Sequence, residues 1–84
     1  MIDHIIHFYN KEFTYSWNLK IPFRLNIHDR ISNELLEHMG TIRYNKLSSD
    51  EWMDFCCENE DFEVEYIKID HNACVVAWLI IPKE

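Results

Sequence analysis

The sequence predicts a small α+β domain, an antiparallel sheet of four to five strands with two helices packed on one face, in the order β-β-α-(β)-α-β-β. Three observations carry that expectation. Apolar residues fill every odd position from Phe13 to Ile27, the two-residue period of a strand with one wet face. Ile27, Ile31, Leu35 and Met39 then recur every four residues, the period of a helix. The whole chain has 84 residues, 48% apolar and 14% aromatic, so it is far too hydrophobic for disorder and makes one compact domain over residues 1–84.

Ile2–Tyr9 reads as the first strand, with Asn10-Lys11-Glu12 as the turn after it. Phe13–Ile27 is the second. Fifteen residues is long for one strand and Pro22 cannot donate to a ladder, so an edge position or a bend is expected there. The first helix is expected from about Ile27 to Met39, with Asn26 as N-cap, Asp29 in the first turn and Gly40 as a left-handed C-cap. Ile42 and Tyr44 alternate briefly, as a short strand or an extended connection. Ser48 and Glu51 form a capping box before a second helix that runs to about Asn59 and carries Trp52, Met53, Phe55, Cys56 and Cys57. Phe62, Val64 and Tyr66 resume the strand period facing inward, and the phase shift at Ile67 and Ile69 predicts a bulge near Tyr66. Asp70-His71-Asn72 is a turn. Ala73–Ile81, apolar on both faces, should be the central strand, ended by Pro82.

Composition removes several function classes. Three cysteines, two of them adjacent at Cys56 and Cys57 and the third at Cys74, make no disulfide framework and read as reduced thiols. The N-terminal Met-Ile-Asp-His lacks the basic start of a secretory signal, and the longest apolar run is far short of the roughly 20 residues that cross a bilayer. A soluble, cytoplasmic protein without membrane contact is expected. His4 and His7 fall on opposite faces of a strand, and Cys56-Cys57 lacks the Cys-x-x-Cys bite, so no metal and no other cofactor is expected. Acids around Cys56 and Cys57 disfavour a thiolate nucleophile, Asp54 and Glu58 fall on an open helix face, and a single glycine leaves no phosphate loop. No catalytic residue is assigned, and the chain is not expected to be an enzyme.

Charge is the informative feature. The net charge is −7, and residues 50–65 hold eight acids and no Lys or Arg, whereas the remaining residues hold seven acids against eight bases. Asp50, Glu51, Asp54 and Glu58 share one arc of the second helix, and inward Phe62, Val64 and Tyr66 would turn Glu63 and Glu65 outward. With Glu60 and Asp61 between them, these eight residues are expected to form a continuous acidic ridge. Like charges four apart on a helix each cost about 0.2–0.5 kcal/mol, so stability alone would not concentrate them. Carboxylates at about 6–7 Å intervals also approach the phosphate spacing of a nucleic-acid strand.

The function expected is therefore a small acidic inhibitor or antidote that binds stoichiometrically to the basic groove of a nucleic-acid-handling protein, such as a nuclease toxin or defence effector. By size and charge this resembles, as a broad class, nuclease immunity proteins and anti-CRISPR proteins. Asp50, Glu51, Asp54, Glu58, Glu60, Asp61, Glu63 and Glu65 would form the partner-binding set, with Trp52 or Tyr66 as anchors. Direct nucleic-acid binding is disfavoured by the net charge, although Ser16, Asn18, Lys20 and Arg24 make a mildly basic strand face. That face offers pairing as a homodimer. The alternatives are a small-molecule-binding or enzymatic domain with a pocket between sheet and helices, or a structural assembly subunit.

Overall fold

The computed structural model describes residues 1–9, 14–45 and 49–82 of the chain. It is an α+β fold of two helices and a six-stranded mixed sheet. The elements are β1 (Ile2–Tyr9), β2 (Thr14–Ile21), β3 (Arg30–Ser32), α1 (Asn33–Met39), β4 (Gly40–Asn45), α2 (Ser49–Glu58), β5 (Asp61–Ile69) and β6 (Val75–Ile80). Across the sheet the order is β3-β5-β6-β1-β2-β4.

The expectation of an antiparallel sheet of four to five strands is thus corrected in two respects. The sheet has six strands, and its first and last strands, β1 and β6, run parallel side by side, from His4 opposite Val75 to Phe8 opposite Leu79. All other neighbours are antiparallel. The parallel pair places β6 centrally, as its unbroken apolar composition requires: Val75, Val76, Ala77 and Leu79 are all buried.

The segment expected as one long strand and the start of a helix divides differently. β2 ends at Ile21, the chain leaves the sheet at Pro22, and Phe23 and Ile27 are exposed although Leu25 is buried. Asn26 does not cap a helix. Its N–H donates to Asp29 Oδ2 while Asp29 N–H donates back to the Asn26 carbonyl, closing a tight turn with His28 at φ 75°. His28 N–H donates to the Val64 carbonyl and Val64 N–H to the Asp29 carbonyl, so this turn is stitched to β5 and leads directly into the added strand β3. Local side-chain bonding at Asn26 and Asp29 outcompeted the four-residue apolar spacing. The helix begins only at Asn33, where the Ser32 hydroxyl accepts from Leu35 N–H.

Gly40 ends α1 at φ −86°, not in the left-handed region. Its need for glycine is spatial. A Cβ there would lie 2.5 Å from the Leu36 carbonyl oxygen and 3.2 Å from Trp17 Cδ1. The proposed cap at Ser48 and the residue Phe13 lie outside the described residues. Among those residues, no helix is long and apolar enough to cross a membrane.

One core joins the helices to one side of the sheet. Leu36 of α1 with Trp52 and Cys56 of α2 pack on Ile6, Phe8, Tyr15, Trp17, Leu19, Phe62, Val64 and Leu79. Trp52 is its hub, its ring centroid 4.2 Å from Tyr15, 5.4 Å from Trp17 and 5.6 Å from Phe55. Such stacked pairs add about 0.5–1.5 kcal/mol beyond the area they bury. Between sheet and helices, where a ligand pocket was an alternative, these rings leave a cavity of about 220 Å3 bordered by Tyr15, Trp17, Leu36, Ile42 and Trp52.

His4 is the polar exception in this core. It is 1% exposed, and its Nε2 accepts from Leu25 N–H at 3.2 Å, which ties the irregular segment after Pro22 back to β1. His7, three residues on, points to the opposite face of the sheet, as the strand period dictates. The predicted bulge lies between Val64 and Tyr66.

Candidate functional site

The acids of the helical layer are set in place by one asparagine. Asn33, the first residue of α1, donates from Nδ2 to the carbonyls of Cys56 and Asn59, each at 3.1 Å, and its backbone N–H donates to the Glu60 carbonyl at 2.9 Å. The Cys56 carbonyl belongs to the last turn of α2, and those of Asn59 and Glu60 to the segment just after it, where acceptors freed from the helix ladder would otherwise need water. Asn33 thereby locks the start of one helix against the end of the other. Asn59 adds a local bond, its Nδ2 donating to the Phe55 carbonyl at 3.1 Å.

Between the helices this junction leaves an open groove of about 500 Å3. Glu34 and Glu37 of α1 line one side, Met53 and Cys57 of α2 the other, and Glu60 and Asp61 the end. Among the described residues, no Lys or Arg lines it. On α2, Asp50, Asp54 and Glu58 occupy the exposed arc beyond Met53 and Cys57, and Glu51 is exposed as well. Glu58 stands in a last turn that has no basic residue, where the helix dipole disfavours an anion. Arg30, at the β3 edge, lines a second cleft with Glu58, Glu60 and Asp61.

Two of the eight expected ridge residues lie elsewhere. Glu63 points to the sheet face away from the helices, sits opposite Arg30 and Ile80 in register, and its Oε2 is 3.5 Å from His28 Nδ1. Glu65 is exposed at the bulge. Both follow plain alternation: Phe62 and Val64 are buried against the helices, which turns Glu63 to the opposite face of the sheet and leaves Glu65 outside the core. The bulge beyond Val64 then switches the phase of β5, so Tyr66 turns outward to 53% exposure beside Trp78. The continuous ridge expected from Asp50 to Glu65 therefore ends at Asp61. Of the two expected anchors, Trp52 is enclosed in the core at 5% exposure and Tyr66 is on the other side of the sheet.

The structure instead adds two acids that the sequence reading missed, Glu34 and Glu37. Their signal was present, because both fall on the polar side of α1 opposite Leu36. It was obscured by starting that helix at Ile27. Glu37 also acts electrically on the core beneath it. Burial first, then the Glu37 carboxylate and the Cys57 thiol, push the Cys56 thiol up to about 11. Burial, Cys56 and Glu37 likewise raise the Tyr15 hydroxyl. A thiol held this high is protonated at neutral pH and unsuited to nucleophilic attack. Cys57 is exposed on the groove, and all three cysteines are free.

The arrangement is a rigid, solvent-open, anionic surface on two helices fixed to an aromatic core. It suits attraction of a cationic macromolecule better than enclosure of a small substrate. No protein family, no curated protein and no solved structure matches the chain.

Proposed function

We propose that the chain is a small, non-catalytic inhibitor or antidote whose acidic helical layer docks on the basic groove of a nucleic-acid-handling protein. The observation that carries this reading is the convergence of Glu34, Glu37, Glu60 and Asp61 on one groove that no Lys or Arg lines among the described residues, flanked by Asp50, Asp54 and Glu58. Charges in this number steer an oppositely charged surface over distances comparable to the Debye length and raise the association rate. The surrounding scaffold supports a binding role, since the acids sit on the two helices and on the junction after α2, anchored by Asn33 and Trp52, and so lose little freedom on association. Partner identity reduces to chemistry: a groove rich in Arg and Lys that ordinarily holds phosphates.

The test is capture from lysate by the immobilised full chain at low and at high salt. Basic nucleic-acid-binding proteins should be retained at low salt and released at high salt, and should compete with added nucleic acid. The variant carrying Glu34→Lys, Asp54→Lys and Glu58→Lys should lose them by orders of magnitude while remaining folded. Retention that survives this triple change would remove the acidic layer from the mechanism.

A further inference from the structure

The sheet has a second face, turned away from both helices. A row of side chains crosses its middle in register: Tyr66 of β5, Trp78 of β6, His7 of β1 and Ser16 of β2. The Trp78 ring is 5.1 Å from Tyr66 and 5.5 Å from His7, and His7 Nδ1 is 2.7 Å from Ser16 Oγ. The adjacent row is Lys68, Val76, Ile5 and Asn18. Tyr9, 69% exposed, stands at the end of β1. Val76 and Ser16 are buried between their neighbours, so the patch open to a partner consists of exposed Tyr66 and Tyr9 with the half-buried Trp78, His7 and Ile5. Among the described residues no helix covers this surface, and a contiguous aromatic and aliphatic patch on the middle of a sheet marks an interaction site.

Charge distinguishes this face from the rest of the molecule. It carries Lys20 and Lys68, and the Arg43 guanidinium acts on both His7 and Cys74 from its margin. The acids on or beside it are Asp3, 3.9 Å from Lys20, Glu63, beside His28, Glu65, exposed at the bulge, and Asp70, which shares a cleft with Asp3 and Lys20. Two chains of net charge −7 repel wherever their helical layers meet, and this face, where both signs occur, is where they can approach. The area suffices. Six strands of three to nine residues cover about 600 Å2 in projection at 3.3 Å per residue and 4.8 Å per strand. Two such faces hide roughly 1,200 Å2, the lower end of the range for specific interfaces.

We propose that two copies of this chain stack through their open sheet faces, with Tyr66, Trp78 and His7 at the centre of a symmetric sheet-on-sheet interface. An isologous contact of this kind leaves the helical layers outermost on both sides. If those layers bind as proposed above, the dimer is bivalent and gains avidity for paired or repeated basic sites.

Sedimentation velocity of the full chain from about 1 to 200 µM, at about 50 and 500 mM NaCl, tests this directly. The expected result is a particle of twice the 10.3 kDa chain mass, whose association tightens at higher salt as the acidic surfaces are screened. Tyr66→Glu should weaken the dimer by about tenfold or more, whereas Asp54→Lys on the helical layer should not weaken it. Tyr9→Glu, at a more exposed position, gives the same reading should the Tyr66 variant fold poorly. A monomer at the highest concentration in both salts, or a dimer indifferent to both tyrosine variants, overturns the proposal. So does nucleic acid or a basic protein that co-purifies on this face and leaves as salt rises, since binding of either kind weakens with salt. No basic partner enters this measurement, so the dimer and the inhibitor reading fail independently.

Discussion

Replacing Asp54 with lysine should make the protein more stable while weakening its proposed binding. Asp50, Asp54 and Glu58 follow one another at four-residue intervals along the exposed side of α2, and no ion pair to Asp54 occurs among the described residues. Each like-charged pair at this spacing costs about 0.2–0.5 kcal/mol, and an opposite pair returns a similar amount. Reversing the middle charge alters both pairs, a gain of about 0.8–2 kcal/mol, to which the better helix propensity of lysine adds a few tenths. For a domain of this size about 1 kcal/mol raises the thermal midpoint by roughly 4–8 °C. Circular-dichroism melts at low ionic strength measure the rise, Asp54→Asn should show about half of it, and high salt should shrink both. A variant that melts at or below the parent at low salt would show that these carboxylates do not strain the helix. The inference that the surface sacrifices stability for binding would then be lost.

Two further substitutions test the scaffold. Gly40→Ala sets the benefit of a less flexible unfolded chain, about 0.4–1 kcal/mol, against a Cβ 2.5 Å from the Leu36 carbonyl oxygen, where overpacking costs about 1–3 kcal/mol. A net loss of about 1–2 kcal/mol with an unchanged denaturant slope is expected in urea unfolding, and equal or greater stability would refute the close approach. His7 is held below its ordinary pKa by burial and by the Arg43 guanidinium, so below about pH 6.5 the unfolded chain takes up a proton that the folded chain resists. Stability should therefore fall as pH drops through that region. His7→Gln should flatten this part of the pH profile, and an unaltered profile would contradict it.

How far the fold could be read in advance followed from which interactions are local. The period-two pattern located β2 and β5, because alternation depends only on which side of a strand meets the core, while β1 and β6 were read from their apolar content, unbroken on both faces in β6. The bulge near Tyr66 was visible as a break in phase, but not its consequence, since whether Tyr66 or Ile67 faces the helices depends on pairing with Trp78 and Ala77 of β6. Glu63 and Glu65 face outward as the alternation said, but outward on β5 is the side of the sheet away from the helices, a relation between layers that no local pattern carries. β3 was hidden because three residues carry no period, and its existence rests on bonds from the 26–29 turn to Val64 that span more than thirty residues. The acids of α2 were legible from composition, whereas Glu34 and Glu37 joined them only once Asn33 brought the two helix ends together.

The parallel contact between β1 and β6 has a bearing on how the molecule is made. It is the seam between two three-stranded ribbons, β4-β2-β1 and β3-β5-β6, yet the backbone does not finish one before starting the other. It visits the far ribbon at β3, returns to the near one at β4, and crosses back for β5. No single cut in the polypeptide would release a self-sufficient half, and a nascent chain on the ribosome would lack a middle strand until Ile80 had emerged. The lacing ties both ribbons into one all-or-none unit, assembled only once β6 has been made.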